Sequence, residues 1–151
     1  MNMSLVLSRA PARGFTLLEI LVSLAIVILL AGLGWNGYRH VAQKASRAEG
    51  RAAILQVLLQ QERHYAYQHR YKAFQPGVEA HGFKWYSGAT PQTSAYALSA
   101  RACEGEDLSS CVLVSAAPGG TGVNAGYQDE ACGVLYADSR GARRADGKDC
   151  W

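Results

Sequence analysis

Proline, charge of one sign and low-complexity stretches are all scarce in this chain of 151 residues. Four prolines without a repetitive tract exclude a proline-rich or collagen-like rod. Fifteen Lys and Arg residues against 12 Asp and Glu leave a net charge of +3, too weak for a protein that coats nucleic acid. With 49% hydrophobic residues, the length supports one folded domain and is short for two.

Arrangements of residues that carry chemistry are also absent. The sequence has no nucleophile paired with a base, no Cys-x-x-Cys and no phosphate-binding loop. Residues 119–122 are rich in glycine, but they follow Pro118 and open no helix, so a turn is expected. Asp129, Glu130 and Asp138 lack the spacing of a calcium loop, and we expect them to be solvated. The sequence therefore predicts a protein that is not an enzyme and holds no metal and no cofactor.

The longest apolar run covers residues 15–35, behind a short basic segment. Its 21 residues would span about 31 Å as a helix, which matches the hydrocarbon core of a bilayer. Arg9 and Arg13 precede the run and would hold that end on the cytoplasmic side. A signal peptide and a plain anchor are the alternatives, although the run is longer than the apolar core of a signal peptide.

Glu19 is unusual within this run, because an ionised carboxylate in hydrocarbon is costly unless it finds a partner. Phe15 lies four residues earlier, on the same helix face. A cut after Gly14 would give Phe15 a free α-amino group. That amine would neutralise Glu19 in its own chain or in a neighbouring one, and pairing between chains would set the register of an assembly.

The segment Gly14-Phe15-Thr16-Leu17-Leu18-Glu19 resembles the prepilin cleavage motif of type IV pilins and pseudopilins. The resemblance implies that a prepilin peptidase removes residues 1–14 and methylates the amino group of Phe15. It also implies that Glu19 pairs with the amino terminus of a neighbouring subunit. The expected partners are other pilin subunits, the prepilin peptidase, an inner-membrane assembly platform and, before assembly, membrane lipid.

The segment from Gly32 to Tyr38 departs from many pilins, since it has three glycines and no proline. Glycine inside a helix costs about 1 kcal/mol relative to alanine. Either this segment bends when the subunit leaves the bilayer, or its small residues let helices pack closely. The expected division is a membrane and filament-core helix at residues 15–38 and a soluble head at residues 39–151.

Helical periodicity continues from Arg39 to about Tyr67 without proline. Apolar residues recur at three- and four-residue spacing, and we expect this face to pack on the head domain: Val41, Ala45, Ala48, Ala52, Leu55 and Leu59. Ile54, Val57 and Leu58 widen the apolar face, so cover on more than one side is expected.

After an irregular segment at residues 68–94, short β-like runs appear at residues 95–100, 111–116 and 132–137, with a last short strand at 142–145. A long helix against three or four antiparallel strands predicts an α+β fold. All four cysteines lie in the last third, which suggests two disulfides in an oxidising compartment. Three pairings are possible. We favour Cys103 with Cys111, which flank a hairpin-like connection, and Cys132 with Cys150, which would tie the final segment back to a strand.

Two further segments resemble minor pilins of the type IV pilin family. Arg47-Ala48-Glu49, with the run from Gln61 to Tyr65 and Tyr71, resembles PilE-like minor pilins. The segment from Cys132 to Cys150-Trp151 resembles PilE-like and ComP-like minor pilins. The resemblance implies the type IV pilin fold, with a disulfide that closes the carboxy-terminal D-region. No family pattern covers residues 72–94.

The expected function is that of a minor pilin, stored in the bacterial inner membrane with its head in the periplasm and then assembled into an extracellular pilus. Adhesion, twitching motility or DNA uptake would follow from that role. A DNA-receptor pilin is the first alternative, with Arg140, Arg143, Arg144 and Lys148 as candidate DNA-binding residues. Interleaved aspartates reduce the net charge of that cluster, which weakens it as a phosphate track. A pseudopilin of a type II secretion system is the other alternative.

Overall fold

The computed structural model describes residues 14–77, 80 and 82–151, so most of the expected leader, residues 1–13, lies outside the described part. One long helix, α1 (Leu17–Gln68), precedes four strands: β1 (Tyr96–Ala102), β2 (Val112–Pro118), β3 (Leu135–Asp138) and β4 (Arg143–Ala145). The α+β prediction is confirmed, and the predicted strands lie within three residues of the observed ones.

The chain divides into two compact units, with the boundary after Arg39. In the first unit α1 is long and apolar enough to cross a membrane, judged by length and composition. The second unit, His40–Trp151, contains the rest of α1 and the whole sheet. Each unit includes part of α1, and the buried core that the described residues form lies in the second unit.

The core of the second unit lies between α1 and one face of the sheet. Ile54 and Val57 are fully buried there, together with Tyr96 and Leu98 of β1 and Leu135 of β3. Burying aliphatic side chains of this kind contributes about 1.5–3 kcal/mol each. Gly50 allows a close approach, because a Cβ at that position would lie 3.0 Å from the ring of Tyr96.

The prediction of the helix face that packs on the head domain is wrong. Leu55 is 44% exposed and Leu59 is 53% exposed, and the other residues of the predicted stripe, Val41, Ala45, Ala48 and Ala52, are exposed as well. The face carrying Ala53, Ile54 and Val57 meets the sheet instead. Both faces show helical apolar spacing, and the β-branched face fills the core.

The sheet is antiparallel throughout, with strand order β1-β2-β3-β4. Its register places Ser99 opposite Ser115, Ser115 opposite Tyr136 and Tyr136 opposite Arg144. Successive side chains of a strand point to opposite faces. This row therefore lies on the face turned away from α1, which we call the outer sheet face.

The segment between α1 and β1 covers the free edge of β1. Phe74 and Ala100 exchange two backbone hydrogen bonds of 3.0 Å, and the amide of Leu98 donates to the Trp85 carbonyl at 2.7 Å. Gln61, fully buried on α1, fixes the start of the segment by donating to the Lys72 carbonyl and accepting from its amide. The part of this irregular segment that the structure describes thus continues the sheet.

Candidate processing, assembly and DNA-binding surfaces

The residues around the expected cleavage bond lie just before α1. Gly14, Phe15 and Thr16 are outside the helix and exposed. Thr16 caps the helix, because its Oγ1 accepts from the Glu19 amide at 3.3 Å and its carbonyl accepts from the Ile20 amide at 3.2 Å. Thr16 and Glu19 have the Thr-x-x-Glu spacing of a capping box, a signal in the sequence that the analysis of hydrophobicity missed.

The first unit exposes large apolar side chains all round the helix. Phe15 is 77% exposed, and the aliphatic residues from Leu17 to Leu30 are all more than half exposed. A soluble protein rarely exposes a contiguous apolar surface of this extent. Such a surface is suited to lipid or to other helices.

Two disulfides close loops of the second unit. Cys103 is bonded to Cys111, with 5.5 Å between Cα atoms, and this bond ties the connection between β1 and β2. Cys132 is bonded to Cys150, with 5.7 Å between Cα atoms, and this bond ties the end of the chain to the segment before β3. Each restricts the unfolded chain and contributes about 2–4 kcal/mol in the chain-entropy view.

The four candidate DNA-binding residues differ in their surroundings. Arg140 forms a two-pronged ion pair with Glu106, so its charge is already compensated. The guanidinium of Arg143 lies 5.6 Å from the ring centre of Trp151. Lys148 is exposed and follows β4 in the chain. Arg143 and Arg144 are neighbours on β4, but their side chains point to opposite faces of the sheet, and Arg140 and Lys148 have different settings.

Arg144 belongs to the outer sheet face, where its guanidinium lies 5.3 Å from the ring centre of Tyr136. Arg101 is two residues after Ser99 on β1 and shares this face, although the sequence analysis did not select it. Burial and Asp146 raise the pKa of Tyr136, and the charges of Arg144 and Arg101 partly offset this rise. Arg101 is distant from the other arginines in sequence. Only the strand register shows that it shares a face with Arg144.

A buried carboxylate, Asp129, joins three parts of the second unit. Arg47 of α1 donates to both carboxylate oxygens at 2.6 and 2.7 Å, and Gln43 donates at 3.3 Å. The hydroxyl of Tyr96 donates to Asp129 at 2.7 Å, and the amide of Cys132 donates at 3.2 Å. Asp129 is only 3% exposed, so the expectation that it is solvated is wrong.

These contacts determine the protonation states at Asp129. Burial alone would raise the pKa of the Asp129 carboxyl, but hydrogen bonds from Arg47, Tyr96 and Cys132 hold it below its ordinary value. Burial, followed by the nearby Tyr127 and the hydrogen bond to Asp129, raises the pKa of Tyr96. The hydrogen bond to Asp129 raises the pKa of Arg47. The cluster is therefore a carboxylate held by a charged guanidinium and a neutral phenol.

One group of potential metal ligands occurs among the described residues, formed by Cys103, Cys111 and Asp138. The two cysteine sulfurs are joined in a disulfide, and metal binding requires thiolates. This group therefore offers no metal site in the oxidised protein.

Comparisons with known proteins identify relatives of both units. The family model described as "Type IV minor pilin ComP, DNA uptake sequence receptor" matches residues 37–136. The model described as "Prokaryotic N-terminal methylation motif" matches residues 9–35. No curated protein sequence matches the chain significantly. Among solved structures, the selenomethionine crystal structure of the Neisseria meningitidis non-core minor pilin PilV (orthorhombic form) has a TM-score of 0.47 and 18% identity, covering 72% of this chain and 90% of that one.

Proposed function

Because this chain belongs to the ComP family of type IV minor pilins, we propose that it is made as a precursor, cut between Gly14 and Phe15 and assembled into a type IV pilus. Residues 15–38 form the membrane and filament-core helix, and residues 39–151 form the head. The head lies in the periplasm before assembly and outside the cell afterwards. The role is structural rather than catalytic, and the family match favours it over a pseudopilin.

The exposed apolar surface of the first unit carries this proposal. Its side chains from Phe15 to Leu30 have no cover within the described chain, and burial is worth about 25 cal/mol per Å² of apolar surface. Lipid provides that cover in the inner membrane, and helices of neighbouring subunits provide it in the filament. The assembly platform mediates the transfer between the two.

Processing by a prepilin peptidase is supported by the position of the bond to be cut. Gly14 and Phe15 precede α1, so the bond lies in an exposed, non-helical segment. The match to the methylation motif covers the same residues. Once Phe15 carries a free, methylated amine, Glu19 of a neighbouring subunit neutralises it and sets the axial register.

Mass spectrometry of the chain purified from membranes and from pili tests both steps. The mature chain should begin at N-methylated Phe15, and Gly14→Leu should leave residues 1–14 in place. Glu19→Ala should be cut and inserted in the membrane as before, yet be missing from sheared pili. Glu19→Gln is the matched variant of Glu19→Ala, because it removes the charge and keeps the size of the side chain. A mature chain that begins at Met1, or normal amounts of Glu19→Ala in pili, would contradict the proposal.

We also propose that the outer sheet face contacts the phosphates of duplex DNA, because the matched family is described as a DNA uptake sequence receptor. Arg101 and Arg144 are on this face, whereas the side chain of Arg143, next to Arg144 on β4, points to the other face. Arginine suits phosphate, and the contact of Arg144 with the ring of Tyr136 orders it before binding. Arg140 contributes little to phosphate binding, since its guanidinium is already paired with Glu106.

Duplex binding by the full chain in neutral detergent tests this second role. Two phosphate contacts predict a slope of log K against log salt of about −1.8, and Arg101→Gln with Arg144→Gln should bring it close to zero. Arg39→Gln removes an exposed cation from α1 and should leave the slope unchanged. If the two arginine substitutions leave duplex affinity and slope as they were, this face is not the DNA-binding surface.

A further inference from the structure

The two disulfides of the second unit differ in how well their cysteines are shielded from solvent. Cys132 and Cys150 are 2% and 7% exposed, so both ends of that bond are buried. In the other bond Cys111 is 1% exposed, whereas Cys103 is half-buried. Thiol–disulfide exchange requires an attacking thiolate to reach one of the two sulfurs. The Cys103–Cys111 bond is therefore the more accessible of the two, and Cys103 is its accessible end.

Cys103 lines a small depression of about 120 Å³ on the head, which we call the Cys103 depression. This volume equals that of about four water molecules, so it admits a methylene group with its thiol but no protein loop. The Asp138 carboxylate lies within 4.8 Å of both sulfurs and repels a thiolate, and Arg144, which also lines the depression, offsets that charge. The depression is thus suited to a small, slender thiol.

The buried sulfur of this disulfide has a hydrogen-bond donor beside it. The hydroxyl of Ser139 donates to Sγ of Cys111 at 3.7 Å. When a thiolate attacks Sγ of Cys103, the electron pair of the S–S bond moves to Cys111, and exchange is faster when that leaving sulfur carries its charge more easily. Because the hydroxyl stabilises the developing thiolate, access and leaving group both favour attack at Cys103.

We propose that Cys103 is a site of reversible thiolation by a low-molecular-weight thiol. The thiolate of the small molecule forms a bond with Sγ of Cys103, the bond between Cys103 and Cys111 breaks, and Cys111 leaves as a thiolate that takes a proton from water. One disulfide replaces another, so no separate oxidant or reductant is consumed. The amide of Cys103 donates to the Cys111 carbonyl at 3.4 Å, which keeps Cys111 close enough to displace the small thiol and restore the original bond.

Thiolation releases a connection that holds other parts of the head. The disulfide closes residues 104–110 into a loop. In this loop the carbonyl of Leu108 accepts from the Tyr71 amide at 2.7 Å, and the carbonyl of Ser109 accepts from the Tyr65 hydroxyl at 3.1 Å. These bonds fasten the end of α1 and the start of the segment before β1. Because the opened loop has more conformational freedom, we expect them to break more often once Cys103 is thiolated.

Incubation of the full chain with reduced glutathione in neutral detergent tests the proposal. Free thiols are trapped with N-ethylmaleimide, and mass spectrometry of peptides locates both labels. Glutathione should be found on Cys103 and maleimide on Cys111, at least about tenfold faster than any label on Cys132 or Cys150. The proposal is overturned if neither bond reacts within hours, if the two bonds react at equal rates, or if glutathione is found on Cys111.

Ser139→Ala tests the contribution of the hydroxyl, and Ser99→Ala, at another half-buried serine, is the matched control. Loss of the hydrogen bond to the leaving sulfur should slow thiolation of Cys103 about threefold, and Ser99→Ala should leave the rate unchanged. Ser139 also accepts from the Val112 amide at 3.3 Å. If this structural contact were its whole role, Ser139→Ala would loosen the loop and speed the reaction, which would contradict its action as a donor to Cys111.

Hydrogen exchange of Cys103→Ser with Cys111→Ser tests the release of the loop. Exchange at the Tyr71 amide should be at least about tenfold faster than in the unaltered chain, and the increase should be larger there than at the Leu98 amide. Circular dichroism confirms that the variant is folded. If the Tyr71 amide exchanges at its original rate, opening the disulfide does not release the segment before β1, and that part of the proposal is overturned.

Discussion

At the scale of single residues, Asp129 is the most demanding position of the head. Its carboxylate is buried and accepts hydrogen bonds from α1, from β1 and from the backbone near Cys132. Removing one partner of a buried ion pair costs about 3–5 kcal/mol, because the remaining charge loses its compensation. The side chain of Arg47 keeps 16% exposure to water, which places this pair at the lower end.

Asp129→Asn should therefore lower the free energy of unfolding by about 3 kcal/mol. Urea denaturation followed by tryptophan fluorescence measures the change. Glu130→Gln alters the exposed neighbouring residue and should change stability by less than about 0.5 kcal/mol. Equal effects of the two substitutions would show that the buried pair is not the cause.

The lowered pKa of Asp129 also gives its stabilisation a pH dependence. The unfolded state binds the proton more tightly, near the ordinary pKa of about 3.9. The contribution is thus complete above that value and is lost as the pH falls through the lower, folded pKa. In Asp129→Asn this part of the acid destabilisation should be missing.

At the scale of elements, the sequence predicted the type and order of helix and strands because periodicity and turn residues are local signals. The packing face of α1 was not predictable, since Leu55 and Ile54 both belong to apolar helical stripes. Asp129 escaped recognition because Arg47, its partner, is 82 residues away. Arg101 was missed for a similar reason, because the strand register alone joins it to Arg144.

The close approach of α1 to β1 predicts the effect of Gly50→Ala. The added Cβ would lie 3.0–3.3 Å from three atoms of the Tyr96 ring, and the hydroxyl of Tyr96 is held by Asp129. Overpacking of about 1–3 kcal/mol should exceed the gain of about 1 kcal/mol in helix propensity, so thermal stability should fall.

Ala52→Gly, two residues further along the helix, is the matched control. Ala52 is exposed, so its replacement by glycine should cost only the difference in helix propensity, about 1 kcal/mol. In the Tyr96→Leu background the ring that the added Cβ would meet is gone, so Gly50→Ala should there raise stability by the gain in helix propensity. If Gly50→Ala stabilises the chain with Tyr96 intact, the contact is not as close as the structure indicates.

At the scale of the whole molecule, the two units divide the work of a pilin. In its described part the first unit is a helix with no buried core, and the apolar surface of that helix needs cover from outside the chain. The second unit is closed by a packed core and two disulfides, so its surfaces are free to vary. The outer sheet face, which carries Arg101 and Arg144, is one such surface.

The cover over β1 has a consequence for subunits crowded together in a bilayer. Many copies would lie side by side there, and an exposed edge strand could pair with the edge strand of a neighbouring copy through backbone hydrogen bonds and form fibrils. Phe74, Trp85 and Ser87 occupy that border with their own amides and carbonyls. The opposite border is only three residues long and carries two arginines. Backbone pairing between heads at either border is thereby disfavoured.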